Sequence, residues 1–415
     1  MTWPCVKIEG LRDSSSHSLV GGPFGSDLTT RHYVDDGVPV IRGVNLPDDL
    51  QFYDDGFVFV STEKADALAA NNAGPGDVVF TQRGTLGQVG LIPHDSRFPR
   101  YLISQSQMKL TVDAAKVNSK FVFYYFRHPT TIQKIKNYAI TSGVPHINLG
   151  ILRRFEIPLP PLHTQNRIVE TLGAYDDLIE NNRRRMALLE ESARLLYQEW
   201  FVRLRFPGHE HVGVFNGIPA GWKIANFSEF VDYLEGPVLR NRQYRSEGIP
   251  FLNIRTIKDD EIDLTKVQFI DEVELQAKYR HFLLEEDDHV VSSSGTLGRV
   301  VTIRGCHLPV MLNTSLIRMR AKSYLSKWFV KSYLKHGDYV DQVTSMATGS
   351  AQLNYGPSHL AKLQFMIPTL QIASLYDDFV SPCFRQIKTL LDANLKLRAA
   401  RDLLLPRLMN GEVVV

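Results

Sequence analysis

The sequence predicts an α+β protein with two similar domains, separated by two long helices that form an antiparallel coiled coil. Three observations predict this fold class. An ordered set of short motifs occurs twice, a long helical segment with apolar residues every seven positions follows each copy, and strand-like runs bounded by glycine alternate with short helical patterns. We therefore expect the order domain, helix, domain, helix along the chain.

The first domain combines short strands with peripheral helices. Strand-like runs occupy residues 38–44, 57–60, 78–81 and 108–112. Ser61 is a typical N-cap for a short helix through Ala70, and a turn at 74–77 leads into the third strand-like run. A second helix is predicted over 119–138. The sheet is expected to be curved or barrel-like.

A long helix is predicted over residues 178–205, after a proline-rich segment at 158–161 that can continue neither a strand ladder nor a helix. Its seam of apolar residues at seven-residue spacing, with two leucines between them, is Ile179, Met186, Ala193 and Trp200 with Leu189 and Leu196. At about 1.5 Å per residue the helix spans roughly 42 Å, slightly more than the roughly 34–36 Å of one turn of B-DNA. This length would suit a protein that binds two half-sites.

The C-terminal segment repeats the seven-residue spacing. Its seam and flanking aliphatic residues are Ile387, Leu390, Leu397 and Leu404. Pro406 is expected to end or kink this helix. Because neither helix has enough apolar neighbours in its own sequence, we expect the two to pair; the alternative is that each packs on its own domain. Asn182 and Asn394 fall on the seams, where a polar residue can fix the register.

The internal repeat is the most informative feature of the sequence. Gly37-Val38-Pro39-Val40 recurs as Gly248-Ile249-Pro250-Phe251, and Gly84-Thr85-Leu86-Gly87 recurs as Gly295-Thr296-Leu297-Gly298, in both cases 211 positions further on. The predicted division is a first domain at 1–161, a central spacer-helix region at 162–208, a second domain at 209–369 and a C-terminal spacer-helix region at 370–415.

Composition excludes several classes of protein. Net charge is +2 with a pI near 8.3, so any surface for nucleic acid must be local. The three cysteines are isolated, which fits neither a zinc site nor a disulfide framework and favours a reducing cytoplasm. The sequence contains no signal peptide and no apolar run long enough to span a membrane, so we expect a soluble, cytoplasmic protein without a membrane partner.

Five runs carry a family resemblance: GPFGSDL at 22–28, GVPVIRG at 37–43, GDVVF at 76–80, GTLG at 84–87 and IPLPP at 157–161. In this order, and followed by the long helix, they make the chain similar to the specificity subunit of a type I restriction-modification enzyme. The resemblance extends over essentially the full length, because the motif order returns in the second half.

The resemblance implies a non-catalytic, prokaryotic subunit whose two target-recognition domains each read one half of a split, asymmetric site on double-stranded DNA. The helices would set the half-site spacing and dock two modification subunits. Those subunits would bind S-adenosylmethionine and methylate adenine, and restriction subunits would use ATP and Mg²⁺ to translocate and cut DNA, so no cofactor is expected in this chain. The alternative function is a coiled-coil adaptor that binds only proteins.

Base reading requires polar side chains on loops beside a DNA groove. In the first domain the candidates are Arg42, Asn45, Gln82, Arg83, Thr85, His146 and Asn148. In the second domain they are Asn253, Arg255, Ser293, Ser294, Thr296, Arg299, Gln352 and Asn354. The alternative for each is that the glycines form a tight turn whose polar side chains are solvated or hold the turn together.

The sequence gives no sign of catalysis. It has neither an Asn/Asp-Pro-Pro-aromatic motif for adenine methylation nor a GxxxxGK[ST] loop for ATP. The acidic run at 285–288 corresponds in position to the turn at Gly76-Asp77, so we interpret it as a turn rather than a Mg²⁺ site. His209-Glu210-His211 lies in a linker without a third ligand, and no metal site is predicted.

Overall fold

The computed structural model describes residues 3–140, 144–258, 261–322, 324–347 and 353–413. The chain divides into two compact units: residues 1–180 with 395–415 form the first unit, and residues 181–394 form the second. Each unit contains one copy of the repeat and a part of both long helices.

The strands of the first unit are short. In chain order they are β1 (Cys5–Lys7), β2 (Leu19–Gly21), β3 (Tyr33–Val34), β4 (Val38–Ile41), β5 (Val58–Val60), β6 (Asn72–Ala73), β7 (Val78–Thr81), β8 (Val89–Leu91), β9 (Tyr101–Ile103), β10 (Gln107–Leu110) and β11 (Glu156–Pro158). They form a four-stranded sheet in the order β2-β10-β7-β8, a five-stranded sheet in the order β3-β5-β4-β9-β6, and a β1-β11 pair. The run predicted at 78–81 coincides with β7.

The short helices of the first unit are α1 (Thr62–Ala67), α2 (Ser119–Arg127), α3 (Pro129–Asn137) and α4 (Leu149–Arg154). The predicted cap is confirmed, since the Ser61 hydroxyl accepts a hydrogen bond from the Lys64 amide at 3.2 Å. The single helix predicted over 119–138 was wrong. It breaks at His128, which is extended and caps α3 through its ring, because Pro129 disfavours a helical residue before it and is well suited to a first helical position.

The second unit repeats this architecture. Its strands are β12 (Val214–Phe215), β13 (Ile218–Pro219), β14 (Lys223–Asn226), β15 (Val231–Glu235), β16 (Ile249–Leu252), β17 (Ile257–Lys258), β18 (Glu261–Ile262), β19 (Gln268–Ile270), β20 (His289–Ser292), β21 (Val300–Thr302), β22 (Met311–Leu312), β23 (Leu316–Ala321) and β24 (Gln364–Ile367). The sheet order β15-β23-β20-β21 is the counterpart of β2-β10-β7-β8 in the first unit. The internal repeat is therefore a repeat of fold.

A repeated glycine shows why the motif is kept in both copies. At Gly37 and Gly248 the backbone adopts φ of +147° and +124°. A Cβ atom at these positions would lie 2.2 Å from the Val60 carbonyl oxygen and 2.3 Å from that of Ile270. Each glycine lets the start of a core strand approach its neighbour, which any larger residue would prevent.

Helices complete the second unit and connect the chain. The remaining helices are α5 (Leu162–Tyr197), α6 (Phe227–Phe230), α7 (Glu272–Glu274), α8 (Lys327–Lys335), α9 (Gly337–Met346), α10 (Pro357–Leu360) and α11 (Leu370–Met409). Helix α5 has 36 residues and α11 has 40, and a π-helical turn at Gln198–Val202 follows α5.

The long helices begin before their seven-residue seams, and α5 with its π-helical turn ends at Val202 instead of at 205. Helix α5 begins directly after Pro161 instead of at 178, and α11 begins at Leu370 and continues past Pro406 to Met409. A proline in the last turn removes one backbone hydrogen bond, and burial of the neighbouring Leu405 and Leu408 in the core of the first unit offsets that loss. Pro406 therefore does not end the helix, which continues to Met409.

The two long helices pair antiparallel within the second unit. The Asn182 side-chain amide donates to the Asn394 side-chain oxygen at 2.8 Å, and the Tyr376 hydroxyl donates to the Ala193 backbone oxygen at 3.4 Å. As the numbers rise from 182 to 193 on one helix, those of the partner positions fall. The predicted seam residues are buried or half-buried, namely Ile179, Met186, Leu189, Leu196, Trp200, Ile387, Leu390, Leu397 and Leu404.

The asparagine pair yields a stability prediction. Replacing Asn394 with leucine is expected to lower the free energy of unfolding by about 1–3 kcal/mol, because the buried Asn182 amide loses its acceptor. The double variant Asn182→Leu/Asn394→Leu should recover most of that loss, since an apolar pair needs no hydrogen bond. Urea denaturation of the three proteins checks this, and equal losses in the single and double variants would contradict it.

The acidic run at 285–288 forms a turn, as its position in the repeat indicated. The Asp288 carboxylate accepts from the Glu285 amide at 2.8 Å, as the Asp77 carboxylate accepts from the Gly74 amide at 2.9 Å. No group of three or more His, Cys, Asp or Glu side chains able to hold a metal ion occurs among the described residues. None of the helices in the described ranges is long and apolar enough to cross a membrane.

Candidate nucleic-acid interface

Three loops of the first unit meet at one edge of its four-stranded sheet. Strands β2 and β7 both run antiparallel to β10, with Gly21 opposite Met108 and Thr81 opposite Gln107. The loops after β2 and β7 therefore lie beside the turn that precedes β10. We call this group the first loop cluster, made of residues 22–28, 82–88 and 104–106.

A segment distant in sequence joins the first loop cluster. Arg83 and His146 form an antiparallel backbone bridge, and the Ile147 amide donates to the Gln82 carbonyl oxygen at 2.9 Å. Asn148 follows at the start of α4, where its side chain accepts from the Ile151 amide. Four of the residues predicted from the sequence, at 82, 83, 146 and 148, are thus brought together.

The exposed side chains of the first loop cluster can accept an outside partner. Arg83 and Thr85 are exposed, and the Arg83 guanidinium makes no hydrogen bond or ion pair within the described part of the chain. Gln82 is half-buried and donates to the Gln105 backbone oxygen at 3.0 Å. The half-buried His146 ring lies 3.1 Å from the Val144 carbonyl oxygen. The Arg83 guanidinium can therefore offer its hydrogen-bond donors to a partner outside the chain.

Arg42 and Asn45 hold a neighbouring loop in shape. Asn45 is fully buried; its side-chain amide donates to the backbone oxygens of Tyr53 and Asp55 at 3.1 and 3.0 Å, and its side-chain oxygen accepts from the Arg42 backbone amide. The half-buried Arg42 side chain donates to the Gly56 backbone oxygen at 3.0 Å. The hydrogen-bonding groups of Asn45 are thus already satisfied inside the protein.

The second unit builds an equivalent cluster. Strands β15 and β20 both run antiparallel to β23, so the loops that follow Glu235 and Ser292 lie at one sheet edge. Ser294 forms a backbone bridge with Asn354, the counterpart of the Arg83–His146 bridge, and the Tyr355 amide donates to the Ser293 carbonyl oxygen at 3.0 Å. We call residues 236–242, 293–299 and 313–315 the second loop cluster.

The predicted residues of the second unit differ in how accessible they are. Ser293 and Ser294 are buried, whereas Thr296, Arg299 and Asn354 are exposed. The Arg299 guanidinium donates to the Ile257 backbone oxygen at 3.1 Å and so supports the neighbouring loop.

Beside the second loop cluster, Asn253 is half-buried and caps a short 3₁₀ turn by accepting from the Arg255 amide at 2.9 Å. The exposed Arg255 guanidinium makes no polar contact with the described residues. Gln352 lies outside the described residues.

Glu235 was missed by the sequence reasoning. Its carboxylate is half-buried and accepts no hydrogen bond from the described residues, and burial raises the pKa of this carboxyl above its ordinary value. The corresponding position of the first unit is Gly21, where a Cβ atom would lie 3.7 Å from the Gln82 side-chain oxygen. The second unit therefore has the Glu235 carboxylate at the place where the first unit has the Gln82 side-chain amide. Aligning the Gly-Pro pairs at 22 and 236 would have revealed this exchange.

Three cations of α11 are paired with carboxylates of the protein. Arg401 is buried and bonds to the Asp176 carboxylate at 2.6 Å, Arg398 lies 3.7 Å from Asp49, and Lys388 lies 3.1 Å from Asp287. The first pair joins α11 to α5 within the first unit, and the other two attach α11 to the domain of the unit in which each lies. In the part of the chain that the structure describes, the exposed Arg240 and Arg242 belong to the second loop cluster, and the exposed Arg245 adjoins it.

Comparisons with known proteins agree with the resemblance. The family model described as the type I restriction modification DNA specificity domain matches residues 37–191. The type I restriction enzyme MjaIX specificity subunit of Methanocaldococcus jannaschii is 24% identical over 100% of this chain and 94% of its own length. The HindI specificity subunit of Haemophilus influenzae is 22% identical over 81% of this chain and 86% of its own.

A solved structure shares the fold. The crystal structure of the type I restriction-modification S subunit from M. genitalium is 15% identical and superposes with a TM-score of 0.56, covering 98% of this chain and 96% of that one. At this level of identity the likeness concerns the fold alone.

Proposed function

This chain belongs to the family of type I restriction-modification specificity subunits, and from that premise we propose that each of its two domains reads one half of a bipartite, asymmetric DNA site. The proposed target-recognition domains are residues 1–161 and 209–369. The observation that carries the proposal is the loop cluster built at the same sheet edge in both units from unlike side chains. Two unlike half-sites can be read by domains that share one backbone arrangement and differ in the side chains that face the bases.

The proposed base contacts are the exposed members of the two clusters. Arg83 offers a free guanidinium, whose geometry suits the two acceptors on the major-groove edge of guanine. Thr296 offers a hydroxyl in the second cluster, and Asn354 offers a side-chain amide beside it. We leave out Asn45 and the two buried serines, because a base cannot reach them without displacing protein contacts.

The long helices are proposed to set half-site spacing and to dock modification subunits. Helix α5, with its 36 residues, is about 54 Å long at about 1.5 Å per residue. Leu188 and Leu195 of α5 and Val202 of the π-helical turn that follows it are seven residues apart, and all three are exposed. Such an apolar stripe on a helix that already buries its other face supports a protein partner.

A specificity subunit is the non-catalytic component of its system. We propose that methyl transfer from S-adenosylmethionine belongs to two modification subunits, and that ATP- and Mg²⁺-dependent cleavage belongs to restriction subunits. The residues of this chain would then select the DNA and position it for those partners.

A duplex-retention experiment tests the proposal. The complex of this chain with its modification subunits is incubated with a pool of random duplexes, and the salt concentration is raised in steps. A DNA reader retains one bipartite sequence after non-specific binding has been removed, because base contacts depend less on salt than phosphate contacts do. Equal retention of every duplex would contradict sequence-specific reading by this chain.

Arg83→Ala is expected to lower the affinity of the complex for its DNA site about tenfold, because a contact with one base pair of the first half-site is lost. The loss should disappear when that base pair is already mismatched, since the contact is then absent in both proteins. Competition binding with single-mismatch duplexes measures this. The matched control is Arg12→Ala, an exposed arginine at the opposite end of β10 that pairs with Glu9. Uniform weakening on all duplexes would show that Arg83 contacts a phosphate.

A further inference from the structure

An exposed apolar side chain occupies the same loop position in both units. Gly22-Pro23-Phe24 follows β2, and Gly236-Pro237-Val238 follows β15. Phe24 is 89% exposed and Val238 is 74% exposed. Single exposed apolar residues are ordinary, but this one recurs at an equivalent place although the loops around it have diverged.

The loop that carries Phe24 is held firmly. The Gln105 side-chain amide donates to the backbone oxygens of Gly25 and Leu28, and the Asp27 amide donates to the Phe24 carbonyl oxygen at 2.9 Å. These bonds lie on the C-terminal side of the ring and leave the ring itself without cover. The phenyl group is thus presented outward on an ordered turn.

The same contacts join this turn to the loop proposed to read bases. The Gln105 backbone oxygen accepts from the Gln82 amide side chain at 3.0 Å, and Arg83 comes next in sequence. In the second unit the Thr314 amide donates to the Pro237 carbonyl oxygen at 3.0 Å, and the Ser293 amide donates to the Ser315 carbonyl oxygen at 2.9 Å. In each unit, therefore, one turn, at 104–106 or 313–315, is hydrogen-bonded to two loops. One of these loops carries Phe24 or Val238, and the other follows β7 or β20.

The chemistry of a DNA groove limits what the apolar tip can contact. On the major-groove edges of the bases the apolar group is the 5-methyl group of thymine, and phenyl and aliphatic side chains are suitable partners for it. Both a phenyl ring and an isopropyl group can cover a methyl group, whereas valine is not among the side chains that proteins wedge between bases.

We propose that Phe24 and Val238 each pack on the 5-methyl group of a thymine in the half-site that their own domain reads. This inference rests on the proposed function, because it takes each loop cluster to face DNA. According to this inference, each half-site contains a thymine at a fixed position, and the chain requires that thymine in addition to the bases read by polar contacts.

The test replaces thymines of the mapped site one at a time with deoxyuridine, which removes only the methyl group. The wild-type complex is expected to lose about fourfold in affinity at one thymine of the first half-site. Phe24→Ala should show the same loss on the normal duplex and no additional loss with deoxyuridine at that position. Val238→Ala should behave in this way at one thymine of the second half-site and leave the first unaffected, so each variant is the control of the other.

Several results would overturn the inference. The first is a half-site in which no thymine is sensitive to loss of its methyl group. The second is a deoxyuridine effect that is as large in Phe24→Ala as in the wild type. The third is failure of Phe24→Ala to assemble with the modification subunits, which would identify a protein partner for the ring. Thermal unfolding should be unchanged, because the ring is exposed. If the wild-type complex selects no sequence at all, the proposed function fails, and this outcome is distinct from selective binding that is insensitive to the thymine methyl groups.

Discussion

Replacing Arg304 with alanine is expected to lower the free energy of unfolding of the second unit by about 3 kcal/mol. The side chain is 2% exposed and bonds to the Glu261 carboxylate at 2.9 Å and to the Asp392 carboxylate. It therefore ties β18 to helix α11 within the second unit. Burial, together with the Arg304 guanidinium, lowers the pKa of the adjacent His307 to about 4, so this ring is neutral at pH 7 and adds no competing charge.

The loss should be large because the arginine fills a buried space and joins two elements. Its partners Glu261 and Asp392 are partly exposed and can be hydrated after the substitution, which places the effect at the lower end of the range for a broken buried pair. Tryptophan fluorescence during urea denaturation measures the effect, since Trp200, Trp222 and Trp328 all lie in the second unit. Arg240→Ala, an exposed arginine of the same unit, is the control, and equal midpoints for the two variants would contradict the prediction.

Gly22→Ala is expected to weaken binding of the first half-site by about 10- to 100-fold. A Cβ atom at Gly22 would lie 2.0 Å from the Ser104 carbonyl oxygen, and two backbone segments of the first loop cluster would have to separate. Overpacking of this kind costs about 1–3 kcal/mol, and here it displaces the reading loop from its neighbour. Competition binding on duplexes with one half-site altered measures the loss for each half separately.

The chain offers matched controls for this prediction. At Gly236 a Cβ atom would lie 2.2 Å from the Asn313 carbonyl oxygen, so Gly236→Ala should weaken the second half-site instead. At Gly74 the nearest atom would be 3.8 Å away, so Gly74→Ala should leave both half-sites unchanged. Equal losses at both half-sites from Gly22→Ala alone would show general unfolding and not a local effect on reading.

Local chemistry made part of the fold predictable from the sequence. The cap at Ser61 and the strand at Val78–Thr81 follow from patterns a few residues long, and both are found where expected. The prolines were harder to interpret. Pro129 divides one predicted helix, whereas Pro406 is accommodated in another, because packing around Leu405 and Leu408 determines the outcome and depends on distant residues.

In the candidate site, the sequence predicted only those positions that the internal repeat makes equivalent in the two domains. The repeat placed Arg83 and Ser294 at equivalent positions, but their contacts with His146 and Asn354 join segments about 60 residues apart, which no local pattern specifies. The accessibility of single side chains was also beyond the sequence. Phe24 belongs to the GPFGSDL run that carries the family resemblance, but only the folded loop shows that its ring is exposed.

Mapping methylated bases across the genome of a host that carries this chain and its modification subunits tests the central claim most directly. Two domains that read unlike half-sites predict one motif with two different specified halves, separated by a stretch of fixed length in which every base occurs. Methylation at a single uninterrupted sequence, or at two halves of identical sequence, would contradict the claim that each domain reads its own half of the site.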